Sequence, residues 1–395
     1  MKKVNNIVSL AVSLLALSTA AEATSIFARQ YNVSCNTCHV GGTPPMMNAT
    51  GMAFLRNGMR FSKSDETTLR AALDGKVAPV GVFLGAGYKT AEMTAQVINP
   101  KTKKPMQMQQ SNEVTNPTAN LLVAGSLSEN VSMFAGGKFA YAEDSVTGDR
   151  ALELLGSKVY VQVNAEDTKH VVRGGLISPY TQFANVTKAS ENAGLDDAPN
   201  FFSSPLSMAN RKNIYGMDYT YLTDDGIMFL AAGGMIDKGH DETDIILGVN
   251  YFSGENFRIS GIMNYITETE SDTDKLLYQP SDATLGERTT FMVPVEYKFE
   301  YAYFNTAAVY VTNSKDKLNN KVDDYYGSES SLTIPVYETI KLRAVGTFDS
   351  NNATGYSFGY TQLFLDHIMI GANAAIFKTD TADFSSYTAS INFIY

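Results

Sequence analysis

The chain of 395 residues carries a formal net charge of -10, with 44% hydrophobic and 18% charged residues, 22 Tyr and 21 Phe but no Trp. This acidic balance excludes nucleic acid as a partner, because phosphate binding needs a basic footprint. Beyond the N-terminus no stretch approaches the ~18 to 20 consecutive apolar residues of a spanning helix, and no nucleophile–base triad or phosphate loop points to hydrolytic or group-transfer chemistry.

Residues 1–23 read as an export signal. Lys2 and Lys3 form a basic n-region, Ile7 to Leu17 an apolar h-region too short to cross a bilayer, and Ala21-Glu22-Ala23 a cleavage site. The mature chain is expected to begin near Thr24, outside the cytoplasm.

Residues 24–76 form the first expected unit. Cys35 and Cys38 are the only cysteines, and His39 follows directly in Cys35-Asn36-Thr37-Cys38-His39. Two thiols at this spacing add across the two vinyl groups of one porphyrin edge, which puts the next residue under the iron. The motif predicts one covalent haem c, attached through Cys35 and Cys38 with His39 as proximal iron ligand. A disulfide, a redox C-x-x-C site and a zinc site are the rivals. The redox site would want a βαβ context and zinc a fourth ligand, and none of the three accounts for His39 as well.

Cytochromes c commonly complete the iron with Met or a second His. Met46, Met47, Met52 and Met59 lie nearest in sequence, Met59 ranked first and Met52 second, whereas His170, His240 and His367 read as surface residues. Later in this unit a short helix is expected, capped by Ser64 or Asp65, with Leu69, Ala72 and Leu73 on one face and Gly75 as its stop.

Residues 77–395 form the second expected unit, where period-two alternation replaces the helical period. Tyr387, Ala389, Ile391, Phe393 and Tyr395 alternate with Thr388, Ser390 and Asn392. Phe291, Val293, Val295 and Tyr297 do so with Thr290, Glu296 and Lys298, and Phe257, Ile259, Met263 and Tyr265 with Arg258, Ser260 and Asn264. One face then meets lipid and the other a lumen.

Counting such segments predicts about sixteen strands of roughly 8 to 12 residues, the length of a tilted barrel strand. The second is expected to start near Thr118 and the fourth near Ser157. Tight turns at 128–130, 224–226, 253–256 and 366–367 alternate with longer loops at 92–117, 143–156, 179–210, 268–288 and 313–324. Outer-membrane barrels sort their connections this way, short turns in the periplasm and longer loops outside. The expectation is therefore an antiparallel outer-membrane β-barrel, mainly β, with lipid around it, both termini periplasmic, and Tyr and Phe as interfacial girdles. A soluble β-sandwich or propeller is the rival, and it needs no sorted loops.

The polar faces carry Lys138, Lys158, Arg173, Arg258, Lys341 and Arg343 against Asp218 and Glu296. Such cations hydrate a porin lumen, or they meet haem propionates if the small unit plugs the barrel. Arg258, Lys341 and Arg343 are the leading candidates for propionate contacts. A basic lumen repels ferrous iron. The expected external loops are acidic instead, with Asp237, Asp241, Glu242 and Asp244, then Glu268, Glu270, Asp272 and Asp274, and read as cation-concentrating mouths or as soluble tips.

The stretch Phe27-Ala28-Arg29-Gln30, then Cys35 to His39, Pro45, Asn48, Gly51, Phe54 and Gly58, resembles the outer-membrane cytochrome–porin fusions associated with iron-oxidising bacteria. In that family a small monohaem domain precedes a porin-like barrel. The resemblance implies an electron conduit from an external reductant, ferrous iron first among donors, through haem c to a periplasmic carrier, as a ferrous iron:cytochrome oxidoreductase would work. Met59 stands where the family often has an aromatic residue, a departure that bears on the axial ligand. Two alternatives stay open: a haem-bearing solute porin, and the same conduit run outward to an external acceptor.

Overall fold

The computed structural model describes residues 26–394 except 40–46, 99–104, 144–149, 166–168, 183–212, 237–242, 255, 268–286, 314–320, 322, 338, 351–353, 365–367 and 379–381. The expected export signal, Met46, His240, His367 and the acidic residues 237–242 and 268–274 lie outside the described residues.

The alternating segments close into a barrel of sixteen antiparallel strands. The first eight are β1 (Val80–Ile98), β2 (Pro105–Ser126), β3 (Val131–Glu143), β4 (Arg150–Asn164), β5 (His170–Ile177), β6 (Ile214–Leu222), β7 (Ile227–Ile236) and β8 (Thr243–Ser253). The rest are β9 (Phe257–Thr267), β10 (Arg288–Lys298), β11 (Tyr303–Thr312), β12 (Tyr325–Tyr337), β13 (Ile340–Asp349), β14 (Thr354–Phe364), β15 (Ile368–Lys378) and β16 (Ala382–Ile394). β1 closes onto β16, with Phe83 opposite Ile394 and Ala95 opposite Ala382. Closure removes the sheet edges, which is how a sheet satisfies its backbone in hydrocarbon.

Side-chain alternation sorts the two faces. On β10, Phe291, Val293 and Tyr297 face outwards, while Thr290, Met292 and Glu296 are buried inwards. β16 repeats this with Tyr387 and Ile391 outside and Thr388 and Asn392 inside. β6 presents Tyr215, Met217 and Tyr219 outwards. An outer surface this apolar suits lipid and not water. Gly226 (φ +78°) and Gly254 (φ +60°) supply the left-handed backbone at two of the tight turns. With an even strand number, β1 begins and β16 ends at the short-turn end.

Three expectations need correction. Segment 92–117 is mostly strand, since β1 runs to Ile98 and β2 begins at Pro105, with Thr90 opposite Asn112 and Met93 opposite Met108. β4 likewise starts at Arg150, well before Ser157. Gln107, Gln109, Gln110, Ser111 and Asn112 hide this in the sequence because a ladder needs only a neighbouring strand, not an apolar face. The inward face is also not polar throughout: Ile177, Ile214, Ile246, Ile262 and Val309 are buried in one cluster with Tyr180. Strand β8 runs Ile245-Ile246-Leu247, apolar on both faces, so alternation is silent there.

The N-terminal unit holds three short helices, α1 (Ile26–Tyr31), α2 (Ala49–Arg56) and α3 (Thr68–Leu73). Its core is aromatic: Phe27 and Phe54 centroids lie 4.9 Å apart, Phe54 and Phe61 4.8 Å, and Tyr31 and Phe61 5.0 Å. Leu122, Ala124 and Phe134 of the barrel complete that cluster. A unit of this size is too small to bury a robust core alone, and here barrel residues supply part of it. The α3 helix corrects a further expectation. Thr67 caps it, accepting from the Arg70 N–H, and not Ser64 or Asp65. It buries Thr68 and Ala71 and leaves Leu69 and Leu73 44% and 76% exposed, because Thr68 docks onto the barrel. Gly75 (φ +70°) ends it as expected.

Candidate functional site

The C-x-x-C-H motif folds as one tight helical turn. The Cys38 and His39 N–H groups both donate to the Cys35 carbonyl, at 3.2 and 2.9 Å. Both cysteines are half-buried thiols, not a disulfide. Burial, and then the neighbouring Cys35, pushes the Cys38 thiol up.

Asn48 ties this turn to α2. Its Oδ1 accepts from the Gly51 N–H at 2.9 Å and caps the helix, while Nδ2 donates to the Asn36 and Thr37 carbonyls at 3.0 and 3.1 Å. The Asn48 N–H donates to the Cys38 carbonyl at 3.0 Å. Gly51 is needed by the same approach, since a Cβ there would overlap the Cys38 carbonyl oxygen. His39 pairs with Met47 in an isolated antiparallel bridge.

The far end of α2 is gripped by inward-facing barrel residues. Arg56 Nη1 donates to Thr220 Oγ1 on β6 at 2.9 Å and lies 3.3 Å from Met228 Sδ on β7, and Nη2 donates to the Lys169 carbonyl at 2.6 Å. Burial lowers the Arg56 guanidinium to about 10, which leaves it cationic at neutral pH. Gln162 Nε2 on β4 donates to the Leu55 and Arg56 carbonyls at 3.0 and 3.1 Å, and Asn164 Nδ2 donates to Arg56 as well. These acceptors are the carbonyls that a helix end leaves without partners.

Two further contacts secure the same side. Thr68 N–H donates to Ser126 Oγ at 2.9 Å, and Ser126 N–H returns a bond to Thr68 Oγ1 at 3.1 Å. Gly125 (φ +151°) permits this approach, since a Cβ would overlap Thr68. Arg60 donates to the Glu129 carbonyl in the β2–β3 turn. All these partners lie at the short-turn end, so the unit sits as a plug inside that mouth. Across the mouth, Asn48, Ala49 and Thr50 face Phe252, Arg258, Glu296 and Lys298 over a small cleft of ≈ 70 Å³.

The three cations singled out from the sequence all face inwards but differ in partners. Arg258 is 4% exposed, with its guanidinium 4.9 Å over the Phe252 ring and Nη1 3.9 Å from Glu296. Lys341 is 2% exposed, and its Nζ has no hydrogen-bond partner among the described residues. Arg343 is 6% exposed and makes one weak bond, Nη2 to Ser331 Oγ at 3.3 Å. Arg173 is balanced, because its guanidinium forks onto Asp218, both buried. Lys138 and Lys158 are half-buried on the inward faces of β3 and β4.

Of the ranked methionines, Met59 is fully buried among Phe54, Ala124 and neighbouring aromatics, and its carbonyl accepts from the Tyr31 hydroxyl at 3.3 Å. Met52 is half-buried on α2, one residue past the Gly51 contact, and Met47 stands opposite His39. His170 lies on the outer face, stacked 4.8 Å from Tyr221 with Nδ1 2.6 Å from the Tyr219 hydroxyl. Sequence reasoning missed Arg56, Gln162, Asn164 and the Thr68–Ser126 pair. The only local signal was a basic residue closing a short helix, since the partners lie 58 to 172 positions away.

No protein-family model matches this sequence, and no curated protein does. Solved structures do. OmpT, an outer membrane protein of Vibrio cholerae, aligns at 14% identity and a TM-score of 0.51, over 80% of this chain and 99% of that one. The anion-selective porin from Comamonas acidovorans aligns at 11% identity and a TM-score of 0.51, over 80% and 99%. OmpF of Salmonella typhi, in complex with daunomycin, aligns at 10% identity and a TM-score of 0.55, over 80% and 97%. At these identities the likeness establishes the outer-membrane porin fold and nothing finer.

Proposed function

We propose that this protein is an outer-membrane electron conduit of the fused cytochrome–porin kind, with both termini periplasmic. It takes one electron at a time from an external reductant, with ferrous iron the leading donor, and passes it to an oxidised periplasmic carrier. One Fe²⁺ becomes Fe³⁺ outside for each carrier reduced inside, and no atoms are exchanged. Cys35 and Cys38 would bind one haem c and His39 would hold its iron, and that group would supply the one-electron chemistry.

The observation that carries this reading is that the C-x-x-C-H turn belongs to a plug held inside the barrel mouth. The residues present fit a haem. Two thiols and an imidazole share one turn in a chain without other cysteines, and buried cations line the facing wall. The chain's own part is positional. Asn48 and Gly51 hold the turn against α2, Arg56, Gln162 and Asn164 hold α2 against the wall, and the plug obstructs water and ions. Met52 is favoured over Met59 as sixth ligand, because Met59 already fills the aromatic cluster.

Peroxidase staining after denaturing electrophoresis should label the full-length band, and Cys35→Ala with Cys38→Ala should abolish it. Staining that survives the double variant sinks the haem assignment. Stopped-flow mixing with Fe²⁺ then tests the donor: a haem that Fe²⁺ fails to reduce points to outward flow or another reductant.

A solute porin is the second reading, favoured by the likeness to an anion-selective porin. It needs an open lumen. The intact protein should conduct little in planar bilayers and more once residues 24–76 are deleted. Open-porin conductance of the intact protein would favour the porin.

A further inference from the structure

We propose that Lys341 and Arg343 form a seat for two carboxylates, and that the occupants are the propionates of the haem attached at Cys35 and Cys38. The assignment rests on the haem reading above.

The two residues stand at alternate positions near the start of β13, both on its inward face and both more than nine-tenths buried. Lys341 Nζ and Arg343 Nε and Nη1 have no hydrogen-bond partner among the described residues. Arg258 Nε and Nη1 also lack hydrogen-bond partners among these residues, but the other buried lumen cations have a carboxylate at ion-pair distance. Arg173 is paired with Asp218, and Arg258 has Glu296 beside it. Neither Lys341 nor Arg343 has a carboxylate at ion-pair distance among the described residues, although Glu329 on β12 attracts Arg343 from further off. Two buried like charges on one strand with no carboxylate at ion-pair distance among the described residues are unfavourable. An anion from outside the polypeptide would relieve that imbalance.

Position and spacing select its chemistry. The barrel order places β13 eight strands from β5, directly across the ring from the wall that grips α2. Lys341 is the second residue of its strand, at the short-turn end where the plug sits. Residues two apart on a strand are separated by ~6.6 Å along it. That separation suits two distinct carboxylates better than one compact phosphate, and an Arg fork matches a carboxylate edge. Haem propionates carry that chemistry, as does a small free dicarboxylate.

The test is an equilibrium redox titration of the purified full-length haem protein. Two nearby positive charges favour the reduced haem, so Lys341→Gln with Arg343→Gln should lower the midpoint potential while peroxidase staining persists. Lys378→Gln removes a charge from the long-loop end of β15 and should leave the potential in place. If the double variant fails to assemble, each single variant should give part of the fall. Retained haem with an unchanged potential overturns the seat, whereas an unmodified protein without covalent haem overturns the earlier reading instead. Succinate separates the two carboxylate sources. The haem protein should not bind it in isothermal titration calorimetry, and binding that depends on Lys341 and Arg343 would show a seat open to free anions and overturn the propionate assignment.

Discussion

The two sides of the lumen meet the plug by different means. On the β2–β7 side the contacts are hydrogen bonds between protein groups: Arg56 to Thr220 and Lys169, Gln162 and Asn164 to the end of α2, Thr68 to Ser126. Donors and acceptors there largely match. On the β9–β13 side lie a small cleft and the buried cations Arg258, Lys341 and Arg343, several of whose nitrogens lack hydrogen-bond partners among the described residues. One wall positions the plug. The other is left with charge that suits an anionic group outside the polypeptide.

Substitutions on the gripping wall should therefore release the plug, and those on the facing wall should not. Arg56→Ala should have the largest effect, about 3 kcal/mol of docking, because it deletes charge-assisted bonds and strands a buried carbonyl and hydroxyl. Faster proteolysis of residues 24–76 and a rise in bilayer conductance would report it. Unchanged values for both would show that the grip lies elsewhere. Gly125→Ala should cost about 2 kcal/mol through backbone strain at positive φ and the clash with Thr68, read by the same proteolysis.

Met59→Leu keeps the volume of a buried side chain, so about 1 kcal/mol is expected. On the proposed haem reading, a sulfur–iron band should persist in that variant and vanish in Met52→Leu. The reverse pattern would restore Met59 as the ligand. Arg258→Gln should loosen the plug least, since the partners of its guanidinium, Phe252 and Glu296, are both barrel residues, although removing one member of this buried pair costs the barrel about 3 kcal/mol. A loosened plug in this variant would erase the distinction between the two walls.

The correction at α3 shows where reading the sequence stops. Leu69 and Leu73 are the apolar residues of that helix, yet Thr68 and Ala71 are buried, because the docking partner is the polar Ser126 and its backbone. Periodicity reports which face is apolar, not which face finds a partner. Arg173 teaches the same point: along the chain it is one more lumen cation, and only the β5–β6 register sets it opposite Asp218.

The sequence by itself determined the C-x-x-C-H spacing, the strand number and the sorting of outer and inner faces on most strands. These depend on neighbours within a few residues, through the period of two and the spacing of the cysteines. Only the tertiary structure decided that β1 closes on β16, that β1 and β2 run past their apolar portions, that α2 is held by β4 to β7, and that among the described residues Arg173 has a carboxylate at ion-pair distance while Lys341 and Arg343 do not. Each of those turns on groups far apart in the chain. Their pairing is selected by burial and by the cost of leaving polar groups unsatisfied, quantities that exist only once the barrel has closed around them.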